Sequence, residues 1–442
     1  MPTTYRPYAP DQLLLLPSSL KEWLPEGHLA WFVSDAVDAL DLCAFHARYA
    51  GDGRRNQPFD PAMMVKVLVY AYASGVFSSR KISRSLEQDV AFRVLGADNF
   101  PAHRTIREFR QLHLSEFSEL FVQVVQLARE AGLVKLGRIG IDGTQVKANA
   151  SKRKAMSYGR MCEGEQRLRA EIEELTRQAE HQDAIEDRAH GAERRGDELP
   201  EELARRDKRL KTIQAAKARL EERQREQDRQ QGRRRDDDGN THGPGGGKCK
   251  RAFGQPEAKA QDNFTDPQSR IMKTGNGFEQ SDNAQAAVDE SGLIVATEVV
   301  NASTDNHQLI PMVEATQRNT GVLPQMTLAD SGYASEVNFA ALEAMQAPAC
   351  VALAREGGKV RKIDPDRHPA TQRMAERMST EAGQAHYRRR KVIPEPVFGW
   401  IKQAMGFRQF SVRGLAQVNG EWNLVCLAQN LRRMHRLGWM AA

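Results

Sequence analysis

Apolar residues along this chain recur first at helical spacing and only later at strand spacing. After Asp60-Pro61, an N-cap followed by proline at the first helical position, Met64, Val65, Val67, Leu68 and Ala71 repeat toward Gly75 and predict a buried helix. A shorter helix opens at Ser78 and carries Ile82 and Leu86; past Asp89 come Ala91, Phe92, Val94 and Leu95. The turn at Asn99-Phe100-Pro101 then leads into Thr105 to Arg110. Helix, tight turn and basic helix outline a helix-turn-helix module that presents Arg104, Arg107 and Arg110 to a groove, while a plain helical bundle with a solvated basic face fits the same residues. Residues 1–135 are expected to form an all-α N-terminal domain, the DNA-binding one on the first reading.

Between Gly137 and Ala150 the spacing changes. Leu136 to Ile141 predicts an apolar strand ending at Asp142-Gly143, and the layout repeats at Met326-Thr-Leu-Ala-Asp330-Ser-Gly332-Tyr333. A carboxylate at a strand tip is rigid on its strand side and open on its loop side, which suits a metal ligand; taken singly, each aspartate also fits a turn opener. From Met156 to Arg235 the residues are mostly Glu, Arg, Gln and Ala, with one apolar seam at Leu168, Ile172, Leu175 and Ala179 and another at Leu203, Leu210, Ile213 and Leu220. An antiparallel coiled-coil hairpin joined around Gly191 to Pro200 is the expectation. The glycine-rich tract Gly239 to Gly247 and the basic Lys248-Cys-Lys250-Arg251 follow it. Residues 156–262 thus read as an insertion, serving as a spacer or dimer contact or else touching DNA directly.

Strand spacing resumes at Asn283 to Asp289 and Gly292 to Val300, a hairpin about Glu290-Ser-Gly292. A helix capped near Thr304 or Asp305 should follow, then the strand to Asp330, a helix from Glu336 to Met345 and a strand from Ala349 to Ala354. Residues 136–155 and 263–355 are expected to be the two parts of an α/β core with a mixed sheet. Residues 356–385 read as an irregular linker with a short helical stretch around Arg373 to Arg377. Residues 386–442 would hold a helix entrance at Pro394-Glu395-Pro396, a strand-like Trp422 to Leu427 and a basic helix from Gln429. Glu395 and Lys402 are seven apart, two turns, and share a helical face.

Composition narrows the class. The 442 residues hold 64 Lys plus Arg against 58 Asp plus Glu, a net charge of +6 that permits binding to a polyanion without requiring it. Five scattered cysteines without a Cys-x-x-Cys pair give no disulfide framework or zinc site. The start lacks a secretory signature, and the most apolar window, Met63 to Phe77, is too short to span a bilayer; a cytoplasmic protein is expected. Asp142, Asp330 and Glu395 are hard oxygen donors of the kind Mg²⁺ prefers, and two such ions about 3.5 to 4 Å apart could activate an attacking oxygen and stabilise a leaving one.

These residues carry a resemblance. Residues 8–36 and 58–113, together with Thr265-Asp266-Pro267, Asn283-Ala-Gln285, Ala329-Asp330-Ser331-Gly332-Tyr333 and Glu395-Pro396-Val-Phe-Gly399, make the chain resemble a DDE transposase of a bacterial insertion sequence. The branch is the one with a helical N-terminal transposase domain and a ribonuclease-H-like catalytic core. The resemblance implies that Asp142, Asp330 and Glu395 are the catalytic, metal-holding carboxylates, with Mg²⁺ as cofactor, Mn²⁺ as a substitute, and two ions. It maps the family's Tyr-Arg-Glu-Lys signature onto Tyr387, Arg390, Glu395 and Lys402. Four residues separate Arg390 from Glu395, one more than the family's widest spacing, so that either Arg390 or Lys391 holds the arginine's role. Ser281-Asp282 also stands where Gly-Tyr is common.

The implied activity is binding of the element's terminal inverted repeats, Mg²⁺-dependent cleavage of double-stranded DNA and strand transfer to target DNA. It implies a homodimer in the synaptic complex and a nucleoid-associated location in a bacterial cytoplasm. The rivals are a catalytically inactive transposase-derived DNA-binding protein and a ribonuclease-H-like nuclease that does not join strands.

Overall fold

The computed structural model describes residues 22–49, 58–190, 201–235, 241–243, 247–275, 277–355, 357–358 and 362–439. Residues 8–21 of the N-terminal resemblance, the expected hairpin joint at 191–200 and parts of the glycine-rich tract lie outside them. The described chain begins with helices α1 (Leu29–Asp38), α2 (Cys43–Ala47), α3 (Pro61–Ala73), α4 (Ser79–Gln88), α5 (Val90–Leu95), α6 (His103–Leu112) and α7 (Leu114–Glu130). Capping chemistry sets several of their ends. Asp60 Oδ1 accepts the Ala62 and Met63 amides at 2.7 and 3.2 Å ahead of Pro61, and Asp89 Oδ1 takes the Ala91 amide at 2.8 Å, which stops α4 and starts α5.

One mixed sheet follows, built from β1 (Arg138–Lys147), β2 (Arg270–Thr274), β3 (Gly277–Asp289), β4 (Ile294–Val300), β5 (Met326–Ala329) and β6 (Ala349–Val351). Its order is β6-β5-β1-β3, and β2 and β4 both pair with the far edge of β3. β1 runs parallel to β5 and antiparallel to β3, with Gly143 opposite Gln285. The expected strand tip at Asp142 is corrected: β1 continues through it to Lys147. Gly143 marks a close approach instead of a turn, because a Cβ there would collide with Gln285 Nε2.

Two long helices, α8 (Tyr158–His190) and α9 (Glu201–Gln230), pack antiparallel over Met161, Leu168, Ile213, Ala216 and Leu220. Ion pairs Glu165–Lys217 at 2.9 Å and Glu171–Arg206 at 3.0 Å flank that seam. Arg219 and Arg223 tie α9 back to the buried Asp262.

The remaining helices are α10 (Leu309–Thr320), α11 (Glu336–Ala344), α12 (Pro369–Ser379), α13 (Glu381–Arg388), α14 (Pro394–Gly399) and α15 (Leu415–Arg436). Three expectations change here. The cap of α10 is not Thr304 or Asp305, because the helix begins at Leu309 behind Gln308. The segment expected to be irregular holds α12 and most of α13. Trp422 to Leu427 is no strand but the middle of α15. The middle of that helix is buried on every side, so Leu424 to Ala428 form an unbroken apolar run that periodicity alone reads as a buried strand.

α15 packs against α1, α3 and α7 on one side and β4 on the other, and one continuous apolar core runs through the N-terminal helices and the sheet. Glu421 on α15 has no exposed surface. It accepts the Tyr72 hydroxyl at 2.8 Å and the Ser411 amide at 2.7 Å. Arg110 completes this group, donating to Tyr72 Oη at 3.1 Å and to the Phe77 carbonyl at 2.8 Å. Arg110 is therefore 4% exposed and does not face a groove, which corrects the expectation for the basic helix. No described helix is long and apolar enough to cross a membrane.

Asp282 on β3, one of the two residues where the family pattern departs, is 2% exposed. Burial first, and the charge of Asp266 second, push its carboxyl up to about 7 against the pull of Arg270. A raised acid holds its proton more tightly in the folded state, so its contribution to stability is greatest at low pH and is lost as pH rises from about 4 through about 7. Asp282→Asn should gain on the wild type across that window by on the order of 1 kcal/mol per pH unit, with no further gain above it; urea unfolding at pH 5, 6, 7 and 8 checks this, and a pH-independent difference contradicts it. Arg110→Ala should cost about 3 kcal/mol in the same assay by stripping the guanidinium from the buried Tyr72–Glu421 pair; a loss below about 0.5 kcal/mol, the usual size for a surface change, contradicts the buried placement.

Candidate active site

Gly140 and Asp142 alternate onto one face of β1, and that face receives α14. A Cβ at Gly140 would lie 2.6 Å from Pro394 Cδ, so the glycine lets the α14 entrance rest directly on the strand. Pro394 sits at the first helical position and brings Glu395 into the first turn. Asp330 directly follows β5, next to β1 in the sheet, and its Oδ1 accepts the Gly332 amide at 2.8 Å. That bond holds the short 3₁₀ turn Ser331–Tyr333 and leaves Oδ2 directed toward Asp142's partner.

That partner is Arg390. Its Nη2 donates to Asp142 Oδ2 at 3.0 Å and to Asp330 Oδ2 at 3.4 Å, and Nη1 stands 3.9 Å from Glu395 Oε1. Three carboxylates from β1, the end of β5 and α14 thus meet on one guanidinium. The arginine side chain is 12% exposed, and exposure rises from Asp142 (18%) through Asp330 (38%) to Glu395 (52%), so the group opens toward solvent on the glutamate side. Burial raises Asp142 to about 6; Arg390 pulls it down, while Asp330 and, more weakly, Asp305 push it up.

The other expected residues distribute around this centre. Lys402 lies in a π-helical turn that breaks simple two-turn spacing from Glu395, and its Nζ donates to the Gln145 carbonyl at 2.8 Å. Burial lowers its ammonium pKa. Tyr387 is half-buried on α13 and Lys391 is exposed. Arg104 and Arg107 are exposed on α6, where with Ser78, Ser79, Arg80 and His103 they line a depression of about 320 Å³.

Asp305 was read from sequence as a helix cap, and its place here was missed. Its Oδ1 accepts Asn283 Nδ2 and Gln285 Nε2, both at 2.7 Å. Gln285 Oε1 in turn accepts the Tyr333 hydroxyl. Asn283 and Gln285, already singled out as the motif Asn283-Ala-Gln285, alternate onto one face of β3, whereas the loop position of Asp305 carries no such pattern.

The donor set is oxygen-only and converges on a cation's position, which fits a divalent ion. Among the described residues no three His, Cys, Asp or Glu side chains close into a metal-holding group as they stand, since the guanidinium lies among the carboxylates.

Comparison with protein families gives two matches. Residues 18–112 match a Transposase domain (DUF772), and residues 345–435 match a Transposase DDE domain. The first spans α1 to α6; the second takes in Arg390 and Glu395, while Asp142 and Asp330 lie outside both. No curated protein and no solved structure matches the chain. The chain thus resembles two transposase domains in this order, the second of the DDE type, and the two matches support a DDE transposase of an insertion element.

Proposed function

We propose that this transposase binds the ends of its own element as a homodimer, cuts double-stranded DNA by metal-dependent hydrolysis and joins the freed 3′-hydroxyl to target DNA. The sheet with α14 would be its ribonuclease-H-like core, and α8 with α9 the helical insertion within it. The observation that carries the reading is the meeting of Asp142, Asp330 and Glu395 on Arg390.

Asp142 and Asp330 would hold the metal, with Glu395 completing the set. Mg²⁺, or Mn²⁺ in its place, supplies activation of the attacking oxygen and charge stabilisation at the leaving one. The protein's own groups account for the rest. Arg390 screens the mutual repulsion of the carboxylates in the free chain, and its fork of donors suits a DNA phosphate equally well. Lys402, anchored beside the far half of β1, and Tyr387 with Lys391 supply further phosphate contacts near the site. Arg104 and Arg107 extend the contact surface to α6, and the buried Arg110 takes no part in it.

Incubating the protein with DNA carrying its element's ends and Mg²⁺, then mapping the products, tests the reading. Asp330→Ala removes a contact worth several kcal/mol to the reaction and should lower cleavage by on the order of a thousandfold or more while end binding persists; cleavage at wild-type rate refutes the assignment. Arg104→Ala and Arg107→Ala should each weaken end binding and reduce the slope of log affinity against log salt by about 1. An unchanged slope in both variants would remove α6 from the DNA surface.

A further inference from the structure

Asp305 belongs to the loop between β4 and α10, half-buried, and it straddles the backbone next to two of the site's carboxylates. A Cβ built on Gly143, the residue after Asp142, would lie 2.9 Å from Asp305 Oδ1; one built on Gly332, in the turn after Asp330, would lie 3.5 Å from Asp305 Oδ2. Gln285 is fully buried opposite Gly143, on the face of β3 turned away from Asp142. Its amide nitrogen reaches Asp305 Oδ1 at 2.7 Å and Asn283 Oδ1 at 3.0 Å, which uses both of its hydrogens.

With Asp305 Oδ1 accepting, the NH₂ end of Gln285 is turned toward the loop and its carbonyl end toward Tyr333, whose hydroxyl donates. Burial, and after it the negative charge of Asp305, Asp142 and Asp330, keeps that hydroxyl protonated. Tyr333 in turn closes the 3₁₀ turn, its amide donating to the Asp330 carbonyl at 3.2 Å. Asn338 Nδ2 fixes the same turn from below through the Tyr333 carbonyl at 2.8 Å and the Asn306 carbonyl at 2.6 Å, next to Asp305 in the loop.

We infer that Asp305 is a positioning residue: by accepting from Asn283 and Gln285 it orients Gln285 toward Tyr333 and so fixes the turn from which Asp330 faces Asp142. The inference rests on the reading of Asp142 and Asp330 as the metal-holding pair. Its role is that of an acceptor, distinct from that of a further ion ligand.

Amide hydrogen exchange across residues 331–335 and titration with Mn²⁺ alone, both on the full chain, test this in Asp305→Ala, Asp305→Asn and Tyr333→Phe. In Asp305→Ala exchange in the turn should speed up about tenfold, as for the loss of one buried hydrogen bond. Mn²⁺ binding should weaken about 10- to 100-fold, the usual cost of losing an outer partner of a ligand. Asp305→Asn keeps an acceptor for both amides and should stay within about fivefold of wild type in both measurements. Tyr333→Phe, which removes only the hydroxyl, should reproduce the faster exchange and covers the case in which the alanine variant fails to fold. Unchanged exchange in Asp305→Ala or Tyr333→Phe overturns the inference, as does an Asp305→Asn variant as damaged as the alanine one, since charge and not acceptance would then be what matters. A wild type that binds no Mn²⁺ counts against the metal reading, and the exchange results still decide the role of Asp305.

Discussion

Consecutive residues on α15 join the two halves of the molecule. Glu421 turns into the N-terminal helices, where it meets Tyr72 of α3, and Trp422 turns toward the sheet, where its indole nitrogen donates to the Gln285 carbonyl at 3.0 Å. Both side chains are without exposed surface. An unpaired carboxylate at such depth would be destabilising, so the position of α15 is fixed by where Tyr72 and Ser411 can satisfy it. Trp422 then ties α15 to β3 at the residue whose side chain supports the turn after Asp330. Packing in the helical region and the geometry of the candidate site are linked through one turn of one helix.

The site itself is a balance of like charges. Three carboxylates and Asp305 lie near one another with a single guanidinium among the first three, and the burial of Asp142 makes its ionisation costly. A cluster with excess negative charge in a half-buried setting holds its geometry only because the backbone imposes it. Gly140 admits Pro394, Gly143 admits Gln285, and the Asp330 side chain is bound to its own turn. The first two are steric constraints between elements far apart in the chain, and the third is a hydrogen bond within one turn.

Much of this was legible in the residues. Asp60-Pro61 declares the start of α3, Glu290-Ser-Gly292 the β3–β4 turn with Gly292 at φ 83°, and Pro394-Glu395-Pro396 the entrance of α14, because caps, positive-φ glycines and first-turn prolines act locally. Arg110 and Trp422 to Leu427 were misread for a common reason. Whether a basic residue faces solvent, or an apolar run is helix or strand, depends on what packs against it. Arg110 is held inward by the Phe77 carbonyl and Tyr72, and α15 is enclosed by helices on one side and β4 on the other.

The sequence by itself determined much of the order of elements and the mixed helix and sheet character, through periodicity, caps and local motifs, while the family resemblance marked the three carboxylates and Arg390 as candidates. Only the tertiary structure brought Arg390 onto Asp142 and Asp330, placed Asp142 within its strand, and brought Asp305 beneath them. Those outcomes depend on distances between residues separated by as many as 248 positions, and a one-dimensional pattern carries no such distance.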